Sequence, residues 1–230
     1  MFKKILFSTI ASVSILTSAS AAELGAFMMK LQGGYAMGDS SFKVSNDTTT
    51  LGTVKNNNLN GMQGIIGFGY VASEDILTDI TVSFDQNKTK NDLTNVGITQ
   101  VENKNLASLL NAYYNFNIGN NFSPYIMAGA GAGFSKAKIT LPTDGMVIDS
   151  NTVITSTDVL SSKNTTYFAY QGGFGMSFNM MKSIALDLGY RIGNTTLGKV
   201  TAGNETVVTT TLSSKSQLKQ SVLLGINIFI

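Results

Sequence analysis

The stretch Ile184-Ala185-Leu186-Asp187-Leu188-Gly189-Tyr190-Arg191-Ile192 decides the fold. Its even positions, Ile184, Leu186, Leu188, Tyr190 and Ile192, are all apolar or aromatic, while its odd positions include Asp187 and Arg191. A helix would scatter a period of two around its circumference; a strand puts the two sets on opposite faces. One face is greasy along its whole length. The other carries two opposite charges that bracket Gly189 and leave room for a partner from a neighbouring strand.

Seven further segments repeat the pattern. Phe27 to Met37 sets Phe27, Met29, Leu31, Tyr35 and Met37 against Lys30 and Gln32, and Met62 to Tyr70 sets Met62, Ile66, Phe68 and Tyr70 against Gln63, Gly67 and Gly69. Ile76, Ile80, Val82 and Phe84 oppose Asp79, Thr81, Ser83 and Asp85; Leu106, Leu110, Ala112, Tyr114 and Phe116 oppose Asn111, Tyr113 and Asn115. Ile126, Ala128, Ala130, Ala132 and Phe134 have Gly129, Gly131 and Gly133 behind them, and Phe168, Tyr170, Phe174, Met176 and Phe178 stand against Gln171, Gly173, Gly175 and Ser177. From Lys219 onward, Val222, Leu224, Ile226, Ile228 and Ile230 face away from Ser221, Gly225 and Asn227. Such runs exceed the about 5–6 residues usual in soluble sheets and approach the about 9–11 of a tilted membrane-spanning strand.

The connections alternate in length. Ala72 to Asp75, Ile118 to Ser123 and Asn179 to Lys182 read as tight turns, whereas Gly38 to Gly61, Gln86 to Asn105, Ser135 to Tyr167 and Asn194 to Ser214 read as long and rich in Thr, Ser and Asn. Short connections on one side and long ones on the other are the organisation of outer-membrane barrels. The expected fold is an all-β, eight-stranded, antiparallel up-and-down transmembrane β-barrel with four long extracellular loops and both termini periplasmic. The aromatics sort by height in the same way. Phe27, Phe68, Tyr70, Tyr114, Phe116 and Phe178 fall near one end, and Tyr35, Phe84, Phe134, Phe168, Tyr170 and Tyr190 near the other, as two interfacial girdles would. A soluble core with its apolar face inward gives no reason for such sorting.

Composition agrees and narrows the function. Of 230 residues 43% are hydrophobic and only 13% charged, below the about 25% of soluble domains, with no Cys, His or Trp. Without Cys there is no disulfide, thiolate metal site or thiol nucleophile, and without His the commonest general base is missing. No catalytic residue, cofactor or metal is expected. Residues 1–22 read as a signal peptide, with Lys3 and Lys4, an apolar stretch from Ile5 to Leu16 too short to span a bilayer, and Ala19-Ser20-Ala21 at the cleavage site. Residues 23–230 then form the barrel domain, and removal of the two leader lysines takes the 16 positive and 14 negative charges to balance. A neutral chain is a poor polyanion binder, so nucleic acid is not an expected partner.

Asp144 with Asp149, and Asp39 with Asp47, read as solvated loop charges, and Gly129 to Gly133 lacks the Lys-Ser or Lys-Thr and the helix of a phosphate cradle. The charges on the inward parity are Lys30, Asp79, Asp85, Asp187, Arg191 and Lys219. Three of each sign predict a paired interior network, with Arg191 near Asp187 or Asp79, because isolated charges in a narrow lumen are costly. On the outward parity, Lys136 and Lys138 continue past Phe134 to where phosphates of lipopolysaccharide or another outer-leaflet lipid would lie. The β-branched segments Met146 to Thr155 and Thr206 to Leu212 are candidates for hairpin tips that contact protein.

Asn111-Ala112-Tyr113-Tyr114-Asn115-Phe116, Ser123-Pro124-Tyr125 followed by Gly129-Ala130-Gly131-Ala132-Gly133, Ala169-Tyr170-Gln171-Gly172-Gly173-Phe174-Gly175 and Leu186-Asp187-Leu188-Gly189-Tyr190-Arg191 together resemble, in that order, the opacity-type, OmpA-like family of eight-stranded outer-membrane barrels. The Asn- and Lys-leaning composition with a single Arg is similar to that of rickettsial surface adhesins. The resemblance implies a Gram-negative outer-membrane surface protein: an adhesin acting on a host or extracellular protein through its loops, or else a small porin or a purely structural barrel. Members of that family usually finish on an aromatic residue, whereas this sequence ends Ile228-Phe229-Ile230, with Phe229 on the inward parity.

Overall fold

The computed structural model describes residues 24–45, 50–88, 100–116, 121–140, 146–149, 152–154, 159–161, 164–196, 199–202, 210–214 and 217–230. The expected leader, residues 1–22, lies outside them. Thirteen strands are present among the described residues: β1 (Phe27–Ser45), β2 (Thr50–Val71), β3 (Ile76–Lys88), β4 (Gln100–Asn115), β5 (Phe122–Thr140), β6 (Met146–Asp149), β7 (Thr152–Ile154), β8 (Val159–Ser161), β9 (Thr165–Met181), β10 (Ile184–Thr195), β11 (Lys199–Ala202), β12 (Thr210–Ser214) and β13 (Gln217–Phe229). Eight of them, β1, β2, β3, β4, β5, β9, β10 and β13, pair antiparallel in chain order, and β13 returns to β1 to close the barrel. The closure is stitched at the termini, where Phe27 and Ile230 exchange two backbone hydrogen bonds.

The registers fix the barrel's dimensions. Stepping across register partners from Met28 through Gly69, Asp79, Asn111, Gly129, Gln171, Gly193 and Lys219 leads back to β1 at Gly38, ten residues beyond the start. With a rise of about 3.3 Å per residue and strands about 4.8 Å apart, that stagger corresponds to a tilt of about 40° and a backbone cylinder about 16 Å across. Such a cylinder is just wide enough for its own side chains.

The alternation read from Ile184 to Ile192 is realised on every barrel strand. Leu110, Leu224 and Ile66 are 63%, 61% and 64% exposed, which in water would be a gross excess of bare hydrocarbon. The aromatics form two outer bands: Phe27 stacks on Phe68 at 5.5 Å near the termini, and Phe168 lies 6.4 Å from Tyr170 near the far end. No described helix is long and apolar enough to cross a membrane, and the spanning elements are the strands.

The connection from Gly38 to Gly61 departs from its reading as a long loop. β1 runs to Ser45, β2 starts at Thr50, and after a register shift between Gly38 and Ser40 their pairing goes on through Phe42↔Val54 and Lys43↔Thr53. The apolar alternation is interrupted there by Ser, Lys and Asn, while Phe42, Val44, Thr50, Thr53 and Val54 are residue types that favour strand. Among the other expected loop segments, β6 pairs with β7, β8 with Lys138–Thr140 of β5, and β12 with Phe42–Ser45 of β1.

Candidate functional site in the barrel interior

Two-residue alternation aims Met28, Lys30 and Gln32 of β1 at the axis, together with Asp79, Thr81, Ser83 and Asp85 of β3, Asn111 and Tyr113 of β4, and Asp187 and Arg191 of β10. All are nearly inaccessible. At this depth every charge needs a partner, and the partners come from strands distant in sequence. Lys30 Nζ lies 2.5 Å from Asp79 Oδ2, donates to Tyr113 Oη at 2.8 Å, and sits 4.0 Å from the centre of the Tyr113 ring. Asp79 Oδ1 accepts from Asn111 Nδ2 at 2.6 Å, and Asn111 Oδ1 accepts from Gln171 Nε2 at 2.7 Å.

Asp187 and Arg191 are joined through Gln32. Arg191 Nη2 donates to Gln32 Oε1, and Gln32 Nε2 donates to Asp187 Oδ1. Asp187 also accepts from Tyr125 Oη at 3.0 Å and from Asn227 Nδ2 at 3.4 Å. The Tyr125 ring occupies the space that Gly189 leaves: a Cβ on Gly189 would lie 2.8 Å from Tyr125 Oη. The third pair lies nearer the far end, where Lys219 Nζ is 2.7 Å from Asp85 Oδ2. Asn87 and Asn105 complete the shell of Asp85 through their side-chain nitrogens at 2.7 and 2.8 Å.

The structure therefore places all six inward charges in the lumen, but Arg191 meets Asp187 through an amide relay, while Lys30 takes Asp79 and Lys219 takes Asp85. Gln32, Asn111, Tyr113, Tyr125 and Gln171 were not among the expected network residues. Their inward parity was the available signal; their reach across the lumen was not encoded locally. Lys136 and Lys138 point outward and are exposed. Asp47 and Asp144 lie outside the described residues, as do the side chains of Asp39 and Asp149.

Apolar side chains close the terminus end of the lumen. Met28, Val71, Leu77, Tyr113, Tyr125, Met127, Ala185 and Phe229 form one buried cluster there. Phe229 is the penultimate residue whose inward parity the sequence set, and it seals this end. A second cluster, Ala107, Leu109 and Ala169 with Tyr167 against it, lies toward the far end. Between and around these clusters remain cavities of about 50 Å³ beside Tyr113 and Tyr125 and about 20 Å³ beside Gln171 and Arg191. Such a space needs about 10–15 Å³ to hold one water molecule, so the smaller cavity takes one water and the larger a few. The Lys30–Asp79 and Gln32–Arg191 layer stands between them.

A closed eight-stranded barrel with an apolar, aromatic-banded wall and a charge-neutral filled lumen defines a transmembrane barrel of the outer-membrane class. The chain belongs to the outer membrane protein beta-barrel domain family, whose sequence profile matches residues 8–215. It is a protein of the Gram-negative outer membrane.

A candidate adhesin of Rickettsia conorii is 32% identical over 138 residues, which cover 56% of this chain and 52% of that protein. The chain thus spans about half the length of the curated relative it matches. Among solved structures, the outer membrane protein OprG from Pseudomonas aeruginosa superposes with a TM-score of 0.57 at 15% identity, covering 93% of this chain and 98% of that one. Neisserial surface protein A gives 0.48 at 19% identity, covering 89% and 98%. At these identities the likeness to solved structures concerns the fold.

Proposed function

We propose that this barrel is a surface-displayed interaction protein that binds a host or other extracellular protein through the segments at its far end, with both termini in the periplasm. The observation that carries this reading is the filled lumen. With Lys30–Asp79 and the Gln32 relay spanning it, and small cavities on either side of that layer among the described residues, the interior works as a rigid support and leaves the exposed end as the place for recognition. The strands beyond the aromatic band supply the display: β1 and β2 stay paired past Gly38, and β12 pairs alongside Phe42–Ser45 of β1. The similarity to the rickettsial candidate adhesin supports the same reading.

The test is adhesion by non-adherent bacteria displaying either the intact chain or one in which residues 146–161 and 206–212 are both replaced by Gly-Ser linkers of equal length. Adhesion to host cells should appear with the intact chain and fall to background with the replacement at equal surface abundance. Undiminished adhesion by the replaced chain would refute the proposal.

A further inference from the structure

On the outer wall the registers stack two polar rows directly beyond one apolar row. Phe84, Leu106 and Phe134 are cross-strand partners on β3, β4 and β5 and face outward. Two residues farther along, Gln86, Lys104 and Lys136 pair in the same way, and beyond them Lys88, Glu102 and Lys138. Four ammonium groups share this block with one carboxylate. Glu102 lies 3.8 Å from Lys88 Nζ and 3.6 Å from Lys104 Nζ, and accepts a hydrogen bond from Gln86. Both lysine side chains remain about half exposed, and ion pairs of that length and exposure are weak. An excess of positive charge therefore stands where the apolar band stops. A groove of about 170 Å³ runs between the rows, floored by Phe84, Leu106 and Phe134 and rimmed by Lys104, Lys136 and Asn164.

We propose that this block binds a phosphorylated glycolipid of the lipid A type, its phosphates held by Lys104 and Lys136 with Lys88 and Lys138 behind them, and its acyl chains lying along Phe84, Leu106 and Phe134. The proposal rests on the reading that the far end faces outward. Its layout matches that ligand: hydrocarbon ends and phosphate begins at one level in such a lipid, as apolar wall ends and ammonium begins here. A soluble phosphate would use the lysines and leave the apolar floor idle. Lysine serves as a point charge that follows a phosphate without demanding one geometry.

The test uses the full barrel in zwitterionic detergent, with bisphosphorylated lipid A, dephosphorylated lipid A and inorganic phosphate as probes and retained lipid read by native mass spectrometry. The intact barrel should retain lipid A, and Lys104→Gln with Lys136→Gln should weaken it about 30-fold, the loss expected for two lysines at a charged lipid surface. Dephosphorylated lipid should bind the intact barrel equally weakly, while Lys182→Gln, at the terminus end, should change nothing. Equal retention by the double variant, equal binding of dephosphorylated lipid, or displacement by inorganic phosphate would overturn the proposal. Heat-modifiable gel migration confirms that each variant is folded, and Lys88→Gln with Lys138→Gln replaces a double variant that is not. Binding in micelles is independent of insertion direction. Labelling of Ser161→Cys on intact cells with an impermeant maleimide reports that direction separately.

Discussion

Lys30 and Asp79, 49 residues apart in sequence, meet at 2.5 Å inside the barrel, with Tyr113 as a third member of the contact. Because both side chains are almost wholly buried, either charge alone is far costlier than the pair. Asp79→Ala should destabilise the barrel by about 3–5 kcal/mol, while Lys30→Met with Asp79→Leu should be near neutral. Urea unfolding in phospholipid vesicles, followed by gel migration, distinguishes the two.

The Gln32 relay makes a second prediction. In planar bilayers the intact barrel should give no discrete current steps, because Gln32, Asp187 and Arg191 cross the lumen and the cavities beside them are small. Gln32→Ala with Arg191→Ala removes the long side chains that cross the axis and should produce small steps. Discrete steps from the intact barrel, abolished by Asp187→Asn, would favour a solute pore.

Gly133 faces the ring of Tyr167, and a Cβ there would come within 3 Å of the ring's Cε2. Gly133→Ala should therefore cost about 1–3 kcal/mol by overpacking. Tyr167→Leu, by vacating the ring position, should reduce the penalty of Gly133→Ala when the two are combined. Additive losses in unfolding free energy would show that the ring and the glycine do not form a packing unit.

Leu110 lies in the middle of the outer wall and is 63% exposed to whatever surrounds the barrel. In water, Leu110→Arg would be nearly silent; in hydrocarbon it should cost about 2–4 kcal/mol. Gln86→Arg, beyond the aromatic band, should cost about 1 kcal/mol or less. Comparable small effects at both sites would argue against a bilayer around Leu110.

The wall was legible in the sequence because its rule is local: a residue's parity on its own strand decides whether it meets lipid or lumen. Ile184 to Ile192 already contains that rule, and the other barrel strands repeat it. The lumen was legible only as a set of charges. Which acid meets which base depends on a stagger accumulated over eight strands, so Arg191 reaches Gln32 of β1, 159 residues away, before any carboxylate. Polar residues beyond the membrane carried the weakest signal. At Phe42 and Val54 the strands continue, although the sequence around them alternates too little to mark a strand. Half of the lysine block, Lys136 and Lys138, was legible from parity on β5, but Lys88 and Lys104 belong to β3 and β4 and join it only through register.

The mutual bonds of Phe27 and Ile230 have a consequence for biogenesis. β1 cannot be satisfied along its outer edge until β13 joins it, so a sheet without β13 carries two raw, sticky margins. Zipping β13 onto β1 removes both margins at once. Until then, an escort has to keep the unfinished sheet from joining its neighbours.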